Sequence, residues 1–271
     1  MASHFKSFIC VLLVLTAFSC NISEIETELP IPYRGDFLVL HGFICQGEGV
    51  RLILQKTVPH TCNECSNKVS NAVVSLYENG TYLFDLNTDD GYLYNSPSSF
   101  SPTVGSQYHV KAEADGMACA ISSTVSPMQI VPVDTAYIST TETPYKVKVH
   151  YSFTDIPFER NQYIVRILAG DEDEFLWGTP YLFDNVIGDE VSNNGIIEGV
   201  SIFILNSNLD EIKVMLYHLS SPLVQYLYSR QHNMFSEEDP FGEYPVPVLC
   251  NISNGYGFFG SYAKDTYTIR F

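Results

Sequence analysis

Thiols, imidazoles and clustered carboxylates are the groups in this 271-residue chain that could do chemistry rather than pack. Cys62-x-x-Cys65 has the spacing of a redox pair or half a zinc site. It lies in a polar run, His60 to Ser66, rather than at a strand-to-helix junction, and no second such pair follows it. A structural bridge is therefore expected, tying this loop to Cys45 or Cys119. The sequence leaves the pairing among Cys45, Cys62, Cys65 and Cys119 open. With Cys250 the count is odd, so at least one thiol stays free. His41, His60, His109, His150, His218 and His232 form no His-x-His or His-x-x-x-His pair, so no metal site is expected. The acidic runs Asp171 to Glu174 and Asp184 to Glu190 lack the spacing of a calcium loop and read as solvated connections. There is no Gly-x-Ser-x-Gly elbow, phosphate loop or dinucleotide fingerprint. The expectation is a protein with no catalytic residues and no cofactor.

Two further groups suggest recognition. In Asn251-Ile252-Ser253-Asn254-Gly255-Tyr256-Gly257 the glycines would let backbone amides approach a ligand, but with Gly260 they also suit a tight reversal before a last strand. The reversal is favoured. Tyrosine is abundant, at 18 residues against one Trp, and offers flat apolar area with a hydroxyl at little entropic cost. Tyr92, Tyr94, Tyr226, Tyr228 and Tyr244 are candidates for such a surface, though strand packing explains any single one as well.

The chain's start decides where these groups work. Lys6 precedes an apolar run of about eleven residues, Phe8 to Phe18. That is short of the roughly twenty a bilayer requires and suits the core of a signal peptide over residues 1–19. In Leu15-Thr16-Ala17-Phe18-Ser19-Cys20 a small residue precedes Cys after the apolar run, which resembles a bacterial lipobox. Ala17-x-Ser19 is also an ordinary cleavage site, but a Cys at the cut favours lipidation at Cys20. One acyl chain holds a membrane marginally and several hold it firmly. Residues 20–35, with Glu24, Glu26, Glu28, Pro30 and Pro32, read as a polar extended tether. Cleavage leaves 13 Lys and Arg against 31 Asp and Glu, a balance that excludes nucleic acid as a partner.

The elements that must position these groups read as strands almost throughout. Phe37 to Ile44, Val50 to Lys56 and Ala72 to Tyr77 are β runs, and Asn79-Gly80 marks a hairpin turn. Tyr92 to Tyr94, Gln107 to Ala114 and Ala118 to Val125 continue the pattern, giving an antiparallel sandwich over residues 36–133. Pro127, Pro132 and Pro144 bracket an expected linker at residues 134–144. A second antiparallel β domain, residues 145–271, follows from the strands at Tyr145 to Phe153, Gln162 to Leu168, Gly199 to Leu205, Asp210 to Leu219 and Thr266 to Phe271. Its one helix spans about 221–235, capped by Ser220 or Ser221 with Pro222 in its first turn, and shows an apolar stripe of Leu223, Leu227 and Met234.

These segments, in order, resemble a family of Bacteroidetes outer-membrane lipoproteins known as a domain of unknown function. The resemblance rests on Leu38 to Ile44, Asn71 to Gly80, Pro102-x-x-Gly105-x-x-Tyr108-His109-Val110, Ser126 to Ile130, Asp155-Ile156-Pro157, Tyr163, Tyr226-Leu227-Tyr228 and Val248 to Gly260. It implies an immunoglobulin- or transthyretin-like sandwich followed by a β domain with one helix. It also implies lipid anchorage at the outer membrane and an accessory role beside a TonB-dependent transporter, and Glu24, Glu26 and Glu28 after Cys20 resemble the surface-export signal of such lipoproteins, which implies the cell surface. It brings no catalytic residues. Asp134-Thr135-Ala136 further resembles the O-glycosylation sequence of that phylum, at Thr135. The expected function is non-catalytic nutrient capture at the envelope. The alternative is a structural or adhesive surface module without a small ligand.

Overall fold

In the computed structural model, residues 32–62, 64–143, 145–157, 159–169, 186–204, 210–238 and 246–270 are described. Cys20, Tyr244 and the acidic run at Asp171 to Glu174 lie outside them. The fold belongs to the compact unit Gly35–Phe271.

A seven-stranded sheet forms its backbone. It contains β1 (Leu38–Cys45), β2 (Gly49–Lys56), β5 (Leu93–Asn95), β10 (Gln162–Leu168), β11 (Ile187–Gly188), β13 (Glu211–Leu219) and β15 (Gly255–Arg270), in the order β11-β10-β13-β15-β1-β2-β5. The five-stranded sheet comprises β3 (Val73–Glu78), β4 (Thr81–Asp85), β6 (Tyr108–Glu113), β7 (Ala120–Ser122) and β14 (Ile252–Ser253). The three-stranded sheet comprises β8 (Val133–Thr140), β9 (Lys146–Thr154) and β12 (Ile196–Ile204).

Period-two patterning decides the layering. Leu38, Leu40, Leu52 and Leu54 of the large sheet meet Val74, Leu76, Val110 and Ala112 of the five-stranded sheet, all with no exposure, which makes the expected N-terminal sandwich. On the same face of the large sheet, Ile212, Val214 and Leu216 meet Val147, Val149 and Phe153 of the three-stranded sheet. The opposite face receives the only α-helix among the described residues, α1 (Ser221–Glu238). Leu223, Val224, Tyr226 and Leu227 pack there on Phe43, Met215, Tyr217 and Phe258.

Three expectations change. The linker at 134–144 is largely strand β8, because Val133 and Ala136 are needed to cover the large sheet. Residues 36–133 and 145–271 do not follow one another as separate sheets. β15 pairs parallel with β1, from Leu38↔Gly255 to Cys45↔Tyr262, and antiparallel with β13, so the end of the chain closes a sheet opened by its beginning. Finally, the glycines after Asn254 make no reversal. The turn is at Asn254, with φ 57°, and the strand runs straight through Gly255, Gly257 and Gly260.

Candidate functional site

The cysteines do not build a site. Cys62 bridges Cys65, with Cα atoms 5.5 Å apart, so the bridge closes within its own loop rather than reaching Cys45 or Cys119. Cys45, Cys119 and Cys250 are free thiols. Cys45 ends β1 with its side chain buried, where burial, reinforced by the Glu48 carboxylate, pushes its pKa to about 12 and keeps it an inert thiol.

The segments that carry the family resemblance turn out to be architectural. Tyr108 donates its hydroxyl to Glu78 Oε1 at 2.6 Å and accepts from the Thr103 amide at 2.9 Å, pinning the Pro102–Tyr108 segment to β3. Asn251 uses its side-chain amide as a strand would. Its Nδ2 donates to Phe259 O at 2.8 Å, and its Oδ1 accepts from Phe259 N at 2.9 Å. Gly257, at φ 109°, has no room for a side chain, since a Cβ there would stand 1.9 Å from Leu40 O. The glycine-rich stretch therefore serves close packing of β15 on β1. His218, buried in β13, faces Gln129 O at 2.9 Å with Nδ1 and Asn161 Oδ1 at 3.0 Å with Nε2. Asn161 in turn donates to Ile156 O, and Tyr163 donates to Asp155 Oδ1 at 2.7 Å. This network stitches the 155–163 loop to the large sheet.

The candidate tyrosines do not converge either. Tyr94 and Tyr226 are buried, Tyr92 is partly covered and Tyr228 is exposed on the helix. Tyr226 stacks on Phe258 at 4.4 Å and bonds His41 Nδ1 at 3.1 Å, a core role. Among the described residues no group of three or more His, Cys, Asp or Glu could hold a metal ion.

A concave site lies instead on the outer face of the three-stranded sheet, on residues that sequence spacing does not connect. Alternation along β9 turns Val147, Val149 and Phe153 inward and leaves Lys146, Lys148, His150 and Ser152 outward. Register then builds two rows across the strands, Glu198–Ser152–Thr135 and Val200–His150–Tyr137. Between them lies a depression of about 210 Å³, whose remaining lining comes from Tyr151 and Gly199. Gly199 has a reason to be glycine, since a Cβ there would stand 2.2 Å from the Tyr151 ring.

One wall is flat and rigid. Tyr137 and His150 stack with centroids 4.6 Å apart and planes 4° from parallel, and the His150 Nε2 position is fixed by Ser139 Oγ at 2.8 Å. The other wall is hydroxyl and carboxylate: Thr135 Oγ1 and Ser152 Oγ share a hydrogen bond of 2.8 Å, with Glu198 exposed beyond them. Thr135, singled out above for glycosylation, thus lies exposed in a strand and lines this depression. The Ser139–His150 contact is a hydroxyl–imidazole pair, and no carboxylate orients the ring from its other side among the described residues. What the arrangement offers is recognition of a small polar group: acceptors on one side, a stacked ring pair on the other, and the aliphatic Val200 at the open end.

A family model described as a domain of unknown function (DUF4249) matches residues 23–268. No curated protein matches the chain.

Proposed function

We propose that this chain, which belongs to the DUF4249 family, is a non-catalytic envelope lipoprotein that binds a small polar ligand on its three-stranded sheet and serves nutrient capture beside an outer-membrane transporter. The observation that carries the reading is the cleft between the Glu198–Ser152–Thr135 row and the Val200–His150–Tyr137 row. Concave sites with a few convergent polar groups are the usual places for small ligands. Glu198 disfavours an anionic occupant, so the ligand is a neutral polyhydroxylated molecule or one carrying an amine. Anchorage is supported by the sequence up to Cys20. No helix among the described residues is long and apolar enough to cross a membrane, so attachment falls to the start of the chain in this reading.

The test has two arms. Mass spectrometry of the mature chain should find an acylated Cys20, and an unmodified amino terminus would remove the anchor. Thermal-shift screening against neutral sugars and small amines should find stabilising compounds, and Glu198→Gln or Tyr137→Ala should weaken the best of them about tenfold or more. A screen without any stabilising compound, together with no transporter recovered after mild crosslinking, would refute the capture role.

A further inference from the structure

Every sheet edge but one is blunted among the described strands. β11 and β14 have two residues each and β5 has three. β4 has five residues and pairs with β3 across a bulge at Leu76/Tyr77, and β8 pairs with β9 across a bulge between Val133 and Thr135. The exception is β12. It pairs with β9 without interruption over nine residues, Ile196 to Ile204, and beyond the Asn193–Ile196 bridge its other edge, from Ile197 to Ile204, has no described partner. It carries no Lys, no Pro and no bulge, the devices by which proteins defend an edge. Its outward residues beyond Glu198 are aliphatic, with Val200 55%, Ile202 67% and Ile204 57% exposed.

We propose that β12 pairs antiparallel with β12 of a second copy of this chain, about a two-fold axis at Ser201, to give a continuous six-stranded sheet. Charge selects a second copy, and selects the antiparallel sense. The outer face carries opposite charge at its two ends: Glu198 stands at one end of β12, while Lys148 and Lys146 lie across from Ile202 and Ile204 at the other. A two-fold axis at Ser201 sets Val200 beside Ile202 of the second copy and Glu198 beside its Ile204. Glu198 is then two strand spacings, about 10 Å between Cα atoms, from Lys146 of the second copy, within joint reach of the two side chains. The contact occurs twice by symmetry. A parallel arrangement would instead set Glu198 beside Glu198. Aliphatic β-branched residues meet across the new pair, the combination that stabilises cross-strand neighbours. The second copy also extends the cleft, because each of its walls continues into Ile204 or Ile202 of the neighbour. The inference does not depend on the ligand reading, since pairing rests on edge and charge alone.

Sedimentation of the full chain in mild detergent tests it. The expected result is a concentration-dependent mass of two copies in the micromolar range. Val200→Lys or Ile202→Lys should raise the dissociation constant at least tenfold, with the thermal midpoint unchanged at a concentration where the wild-type chain is monomeric. Glu198→Lys should weaken pairing as well, and adding Lys146→Glu and Lys148→Glu to it should restore pairing, a rescue that nonspecific stickiness cannot give. If a Lys variant fails to fold, Ser201→Cys replaces it. That thiol lies on the axis and should crosslink two copies under oxidation, whereas Thr154→Cys on β9 should not. A chain that stays monomeric to about 100 µM, or a dimer indifferent to these changes, overturns the proposal. A monomer that instead binds an alternating Val-Glu nonapeptide at this edge would also overturn it, in favour of a foreign strand.

Discussion

β15 and β12 are both long strands of one chain, yet among the described residues β15 joins two neighbouring strands, β1 and β13, and β12 joins only β9. β15 runs sixteen residues, Gly255 to Tyr262 beside β1 and Tyr262 to Arg270 beside β13, and is fixed by devices specific to single positions. These are Gly257 under Leu40 O, Gly255 close to Leu38 O, and the Asn251 amide bonded to Phe259. β12 uses one such device, Gly199 against the Tyr151 ring, and none among its outward residues. Its inward residue Ile197 is 1% exposed, while Val200, Ile202 and Ile204 face solvent. Enclosure here is bought with residues that tolerate no substitution, and openness with residues interchangeable for the fold. The family resemblance accordingly includes β1 and the start of β15 and passes over β12.

The sharpest way to break this contrast is Gly257→Ala. The residue sits at positive φ, and its new Cβ would overlap the Leu40 carbonyl. Backbone strain of about 1–3 kcal/mol adds to the displacement of β1, so the loss should exceed about 3 kcal/mol or leave no folded protein. Urea unfolding measures it. A loss under about 1 kcal/mol would mean that β1 and β15 do not approach so closely.

A pH titration probes the same seam from the helix side. Burial, and after it the Arg230 charge, pushes the His41 imidazole from 6.5 down to about 4. Its neutral Nδ1 then accepts from the Tyr226 hydroxyl. A base with a depressed folded pKa is neutral in the fold while the unfolded chain still takes up a proton. The contribution is therefore complete above about pH 6.5 and is lost as pH falls towards 4. It amounts to about 3 kcal/mol. Urea midpoints at pH 7.0 and 4.5 should differ in that sense, and His41→Gln should flatten the difference. An unchanged pH dependence would place His41 in water.

Asn251→Ala comes next. It removes both hydrogen bonds to Phe259, a strand residue with no exposure, and leaves a buried amide and carbonyl without partners, at about 1–3 kcal/mol. Asn251→Asp keeps the acceptor and loses the donor, so it should fall between wild type and Ala by the same assay.

What could be read from the sequence divides along the same line. The strands of the sandwich, the Asn79-Gly80 turn and the helix at Ser221 were legible because alternation, turn chemistry and capping are local signals. The β1–β15 pairing was not, since more than two hundred residues separate the partners and no local pattern specifies a parallel neighbour. β8 was hidden by the prolines that flank it and by its mixed polar pattern, though Val133 and Ala136 cover core. The cysteine loop misled because spacing alone cannot say whether a Cys-x-x-Cys pair closes on itself. The cleft escaped almost wholly. Thr135 drew attention for a different chemistry, and His150 and Glu198 meet only through the register of β9 with β8 and β12. One signal was available. Ile196 to Ile204 carries large apolar residues at both parities, Val200, Ile202 and Ile204 on one and Ile197 and Phe203 on the other, which either a strand buried on two sides or one with an unshielded face will show.

That signal leads to the smallest expected effect, and its smallness is the point. Ile202→Thr keeps β-branching and trims one exposed aliphatic group from β12, so the monomer should change by less than about 0.5 kcal/mol. Ile197→Ala, on the inward side of the same strand, empties a core position and should cost about 2–5 kcal/mol. Urea unfolding of both, at a concentration where the chain is monomeric, separates the faces. Should Ile202→Thr cost as much as Ile197→Ala, the outer side of β12 would be covered within one chain, and both the cleft and the edge would lose their claim to a partner.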